Sequence, residues 1–134
     1  MTDNTVTIAG NLTREPELRF TNRGQATATF AVAVNRTWTD RQSHERKEST
    51  SFFDVVAWGT LAENAATSLA KGTRVVVTGR LDQLSWESPQ GDRRSKAEIT
   101  ADEICPSLRW ATAQVTRTER RSPAEAADDG EDLG

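Results

Sequence analysis

The chain has 134 residues, 35% of them hydrophobic, and a net charge of −3 at pH 7, a size for one domain with no room for a second. Residues 1–121 hold 17 basic and 15 acidic side chains while residues 122–134 hold five acids and no base, so a near-neutral body precedes an acidic end and the acidic average does not exclude a polyanionic ligand. A single cysteine, Cys105, excludes an internal disulfide, and no run nears the ~18 apolar residues of a membrane span; with no leader at Met1–Asn4, a cytoplasmic chain is expected.

Thr5–Leu12 reads as a strand, Pro16 marks a turn, and Leu18 and Phe20 resume the strand before a second turn at Thr21–Gly24. Ala26–Asn35 alternates, with Ala28, Phe30, Val32 and Val34 on one face and small residues on the other. Arg41–Glu48 is charged, contains no apolar residue and reads as a solvated loop, leaving Trp38 between a strand and that loop. Ser51–Trp58 is a further strand, with Phe52, Asp54, Val56 and Trp58 of one parity and Phe53, Val55 and Ala57 of the other. Thr60–Ala70 reads as a helix: Thr60 and Glu63 have the spacing of a capping box, Leu61, Ala65 and Leu69 form a narrow apolar stripe, and Lys71 and Gly72 suit its end. Arg74–Trp86 and Ser95–Ile104 read as strands joined by the turn Pro89–Asp92, and a short strand is expected within Leu108–Thr118. Three strands, a helix and two strands is the element order of an all-β OB-fold, a five-stranded Greek-key barrel, although other small α+β domains share that order.

Catalysis finds little support. His44 is the one histidine, there is no tyrosine, and no metal-ligand spacing, phosphate-binding glycine loop or nucleophile motif is present. A non-enzyme without metal or cofactor is expected. The aromatic residues say more. A small barrel has room for few large rings, and Phe30 and Phe53 already compete for it, so some of Trp38, Phe52, Trp58 and Trp86 should stand exposed. Flat exposed rings among cations are what single-stranded nucleic acid needs, because every base has a π-face and phosphates follow the charges. Arg36, Arg74, Arg80, Arg94 and Lys96 are the candidate cations, with Arg41, Arg46, Lys47 and Arg93 near them. The plainer alternative makes Phe52 and Trp58 core and the charges a solvated face.

These stretches also resemble a known family. Gly10-Asn11-Leu12, Pro16-Glu17-Leu18-Arg19-Phe20, Phe52-Phe53-Asp54-Val55-Val56-Ala57-Trp58, Leu61-Ala62-Glu63-Asn64, Lys71-Gly72-Thr73-Arg74-Val75, Val77-Thr78-Gly79-Arg80-Leu81, Asp102-Glu103-Ile104 and Pro106-Ser107-Leu108-Arg109-Trp110-Ala111 follow one another as in bacterial single-stranded DNA-binding proteins, above all those of actinobacteria. The resemblance spans residues 3–113. It implies a homotetramer of OB folds that wraps single-stranded DNA in replication, recombination and repair at the nucleoid. It places the stacking rings at Trp38, Phe52, Trp58 and Trp86, makes Trp110 structural or interfacial, and makes the segment after the last strand a clamp between subunits. The expected division is an OB domain over residues 1–113 and a short acidic flexible tail over 114–134.

Two features depart from the family's pattern. Cys105 stands where relatives have glycine and reads as a packing substitution. The tail ends Asp132-Leu133-Gly134 without the family's long linker and terminal Pro-Phe. Docking of replication and repair proteins would then rest on charge alone, through Asp128, Asp129, Glu131 and Asp132. A protein-interaction OB module and an RNA-binding OB domain are the competing readings.

Overall fold

The computed structural model describes residues 3–118. Among them are six strands, β1 (Val6–Leu12), β2 (Glu17–Phe20), β3 (Ala26–Thr39), β4 (Arg46–Trp58), β5 (Arg74–Glu87) and β6 (Arg93–Pro106), with one helix, α1 (Gly59–Ser68), between β4 and β5. β1 pairs with both β5 and β3, so β1, β5, β6, β4 and β3 close on themselves. Only β4 and β6 run parallel; the other pairs are antiparallel. This is the five-stranded OB barrel with one helix that the element order predicts. β2 lies beyond β1 along the same edge of β3, so it does resume the first strand after the Pro16 turn.

The barrel fills by alternation. Ala26, Ala28, Phe30 and Val32 of β3 are buried, as are Val55 and Ala57 of β4, Val75 and Val77 of β5, and Ile99 of β6. Their neighbours of opposite parity point outward. α1 caps the core with Ala62, Ala65 and the following Leu69, which join the same cluster. No helix among the described residues is long and apolar enough to cross a membrane.

Several expectations need correction. The charged segment Arg41–Glu48 is a loop only as far as Glu45: β3 runs to Thr39, β4 begins at Arg46, and the turn is confined to Asp40–Glu45. Asp40 organises that turn by accepting from the Gln42 N–H at 2.8 Å. Both faces of this arm meet water, so its strands carry no apolar alternation to read. Trp38 is therefore inside β3 rather than after it.

The Thr60 capping box does not form. α1 starts at Gly59, and Trp58 is its N-cap without a side-chain hydrogen bond. Gly59 turns the chain out of β4 at φ 69°, which leaves Thr60 inside the first turn. The helix ends at Ser68, so Lys71 lies past its last turn. Gly72, at φ 89°, serves a turn that docks on β1 by donating its N–H to the Leu12 carbonyl at 2.8 Å.

Residues 107–118 contain no strand. Cys105 is exposed, opposite Val76 on the outer side of the β5–β6 ladder, so it is not a core packing substitution.

Candidate nucleic-acid interface

The β3–β4 ladder runs without a bulge from Thr27–Trp58 to Thr39–Arg46. Alternate pairs therefore point to opposite sides, and the outer side of β4 carries Trp58, Val56, Asp54, Phe52 and Thr50. The parallel ladder continues this side onto β6, with Asp54 beside Glu98 and Val56 beside Thr100. From β6 it passes to β5, where Thr100 faces Arg80, Glu98 faces Asp82, Lys96 faces Leu84 and Arg94 faces Trp86. On the other flank, Thr27 of β3 joins Trp58 to Arg19 of β2. One continuous outer face thus holds Phe52, Trp58 and Trp86, exposed at 68%, 45% and 47%, over a floor of Thr27, Thr29, Ala31 and Ala33.

Charges on this face come in pairs. Arg80 Nε donates to Asp82 Oδ1 at 2.9 Å, and Asp82 Oδ2 accepts from the Thr100 hydroxyl at 2.9 Å. Those two hydrogen bonds, Arg80 first, hold the Asp82 carboxyl below its ordinary range, and Asp82 in turn raises Arg80. Lys96 Nζ lies 3.9 Å from Asp54 and 3.8 Å from Glu98, and Arg19 is bonded to Glu17. All are solvent-accessible, so each pair adds little to stability. Arg94 has no carboxylate within salt-bridge distance among the described residues. The face is rich in rings and close to neutral, rather than a positively lined channel.

The other sequence candidates lie elsewhere. Trp38 is 40% exposed, yet it shares parity with Phe30 and Val32 and so sits on the opposite side of the β3–β4 arm from Phe52. Arg36 lies on that same side with its guanidinium 4.9 Å from the Trp38 ring centre. Arg74 starts β5, and its guanidinium stands 5.0 Å from the ring of Trp110, which Arg109 also approaches at 4.6 Å. Arg74 and Trp110 line a cleft of about 710 Å³ between α1 and residues 106–116, apart from the ring-bearing face. The Arg74 Nε is buried there without a hydrogen-bond partner among the described residues. Asp128, Asp129, Glu131 and Asp132 fall outside the described residues.

A model of the single-strand binding protein family matches residues 3–106. The chain belongs to this family. It is 47% identical over 129 residues to a single-stranded DNA-binding protein of Paenarthrobacter aurescens, covering 96% of this chain and 75% of that one. A protein of the same name from Mycolicibacterium smegmatis is 50% identical over 119 residues, covering 88% of this chain and 72% of the relative. Among solved structures, a Plasmodium falciparum SSB in complex with single-stranded DNA superposes with a TM-score of 0.75 at 26% identity, over 80% of this chain and 97% of that one.

Within this family member, two features of the face escaped the sequence. Arg19 reaches it only because β2 pairs with β3 in a register that aligns Arg19, Thr27 and Trp58. The carboxylates beside the cations are equally a matter of register, since Asp54, Glu98 and Asp82 meet only across three strands. The i, i+2 spacing of Arg80 and Asp82, and of Glu17 and Arg19, was the one local signal available.

Proposed function

We propose that this chain binds single-stranded DNA without reading its sequence, as a homotetramer serving replication, recombination and repair, and catalyses no reaction. The observation that carries the reading is the placement of Phe52, Trp58 and Trp86 on one exposed face of an OB barrel. Stacking on such rings tolerates any base, since none of the contacts depends on a base edge. Arg80, Arg94 and Lys96 sit among the rings as phosphate contacts, and Arg36 with Trp38 extends the path around the β3–β4 arm. The family relatives named for single-stranded DNA binding support the same reading. The acidic tail is the proposed charge-driven docking segment for other replication and repair proteins.

Titration with poly(dT) is the direct test. Quenching of tryptophan fluorescence is expected, with log affinity falling against log salt by about 0.7 per phosphate neutralised. No quenching at low salt refutes the reading, and a monomeric mass by light scattering refutes the tetramer. Matched poly(U) bound as tightly as poly(dT) would favour an RNA-binding domain instead.

The side on which Trp38 stands yields a second expectation. A strand that touches Phe52 and Trp38 must cross the edge of the β3–β4 arm, which takes more nucleotides than reaching Phe52 alone. Trp38→Ala should leave affinity for the shortest oligo(dT) that binds unchanged, and weaken longer ones by about 1–3 kcal/mol. Anisotropy with labelled oligonucleotides of increasing length reads this directly. Equal loss at every length would place Trp38 on the same path segment as Phe52.

A further inference from the structure

The paired charges among the exposed rings bear on which polyanions the face accepts, a question that rests on the single-strand reading above. Lys96 stands between Asp54 and Glu98, Arg80 is held by Asp82, and Arg19 by Glu17, all within the rows that carry Phe52, Trp58 and Trp86. None of these carboxylates is buried in the barrel core. A carboxylate beside a cation does two things to an arriving phosphate: it occupies a donor direction and it repels the like charge. An unpaired base is neutral and its stack on a ring meets no such penalty. Duplex DNA or a sulfated polysaccharide offers anionic groups but no accessible π-face, so it meets the penalty alone.

We propose that Glu17, Asp54, Asp82 and Glu98 are specificity determinants of this face, suppressing attachment of polyanions without free bases so that ring stacking decides what binds. They restrain affinity for single strands somewhat and affinity for duplex strongly. The near-neutral face is then a means of selection, and the total charge of the body a poor guide to its ligand.

The test uses the full chain and three probes: oligo(dT), a duplex of equal length, and heparin. Asp54→Asn/Glu98→Gln frees Lys96 and leaves the Arg80–Asp82–Thr100 group intact. Asp82→Asn, made separately, loosens Arg80 while keeping an acceptor for Thr100. Glu15→Gln/Glu63→Gln, in the β1–β2 turn and on α1, makes the same charge change as the double variant away from the face. The double variant should bind duplex and heparin roughly tenfold or more tightly at low salt, with a salt slope steeper by about 0.7–0.9 per phosphate newly neutralised. Its gain for oligo(dT) should be smaller, so the single-strand to duplex ratio falls. Asp82→Asn should move the ratio in the same direction. An unchanged ratio, or an equal gain in the control, overturns the proposal. Wild-type protein that ignores oligo(dT) sinks the functional reading instead. The heparin arm still judges the carboxylates in that case, because masking requires a gain in the face variants that the control lacks.

Discussion

Phe52→Ala/Trp86→Ala should cost about 2–6 kcal/mol of affinity for oligo(dT), the sum of two stacks of about 1–3 kcal/mol each. Phe52 lies on β4 two residues beyond its last pairing with β6, and Trp86 lies on β5 across β6, so at least two strand spacings of about 4.8 Å, roughly 10 Å, divide the rings. At that separation they share no partner, so their effects should add. Both side chains are exposed and outside the core, and removing them leaves no core cavity, so the fold should survive with little change in melting temperature. Labelled oligo(dT) anisotropy is the measurement, since it does not depend on the tryptophan being removed. Phe20→Ala is the matching control. Phe20 is 62% exposed, as open as the candidate rings, but it shares parity with Ala26 and Ala28 on the other side of the sheet. Its loss should leave affinity unchanged. If Phe20→Ala weakens binding as much as the double variant does, exposure alone rather than position on this face is what matters.

Gly79→Ala should destabilise the barrel by about 3 kcal/mol, the upper end of the usual cost of overpacking. A Cβ at Gly79 would meet the Thr100 carbonyl oxygen at 2.1 Å and the Ala101 Cα at 2.9 Å, both backbone atoms that cannot swing aside. The close approach belongs to a β-bulge. β5 and β6 pair Thr78 with Glu103 and then Gly79 with Ala101, which leaves Asp102 unpaired. Such a bulge bends and twists the ladder locally. Here it lies where the barrel part of β5 gives way to the arm bearing Arg80, Asp82, Leu84 and Trp86. Gly79→Ala should therefore lower oligo(dT) affinity as well as thermal stability, by shifting the arm. Gly91→Ala, in the β5–β6 turn at φ 87° with open space around its Cβ position, should cost only about 1–2 kcal/mol of left-handed strain. Thermal melts of the two variants followed by circular dichroism compare them. Equal losses would mean that backbone conformation, and not the β5–β6 approach, is what Gly79 provides.

Local pattern was enough where one side of a strand is wet and the other dry. On β4 the alternation of Phe53, Val55 and Ala57 against Phe52 and Trp58 correctly separated core from surface, because the barrel has no volume for both sets. The same logic failed on the β3–β4 arm, where Arg46, Lys47 and Glu48 are strand residues with water on both sides and hence no contrast to detect. Helix α1 was legible from Ala65 and Leu69, but its start was set by Gly59 turning the chain and not by Thr60. The candidate rings were found as residue types suited to stacking. That Trp38 stands on the other side from Phe52, and that Arg74 belongs with Trp110, depended on register and on a chain segment folding back.

The amino-acid sequence alone determined the one helix, the alternation of β3 and β4 and the rings suited to stacking, because each follows from a pattern over a few neighbouring residues, while the barrel class rested on element order together with the family resemblance. Only the tertiary structure decided the closure of β1 on β3, the parallel seam of β4 with β6, and the rows in which Arg19, Arg80 and Lys96 meet Glu17, Asp82, Asp54 and Glu98. Strand register is a long-range choice: shifting a pairing by one residue exchanges every inward and outward neighbour, and only the packed barrel selects which pairing holds.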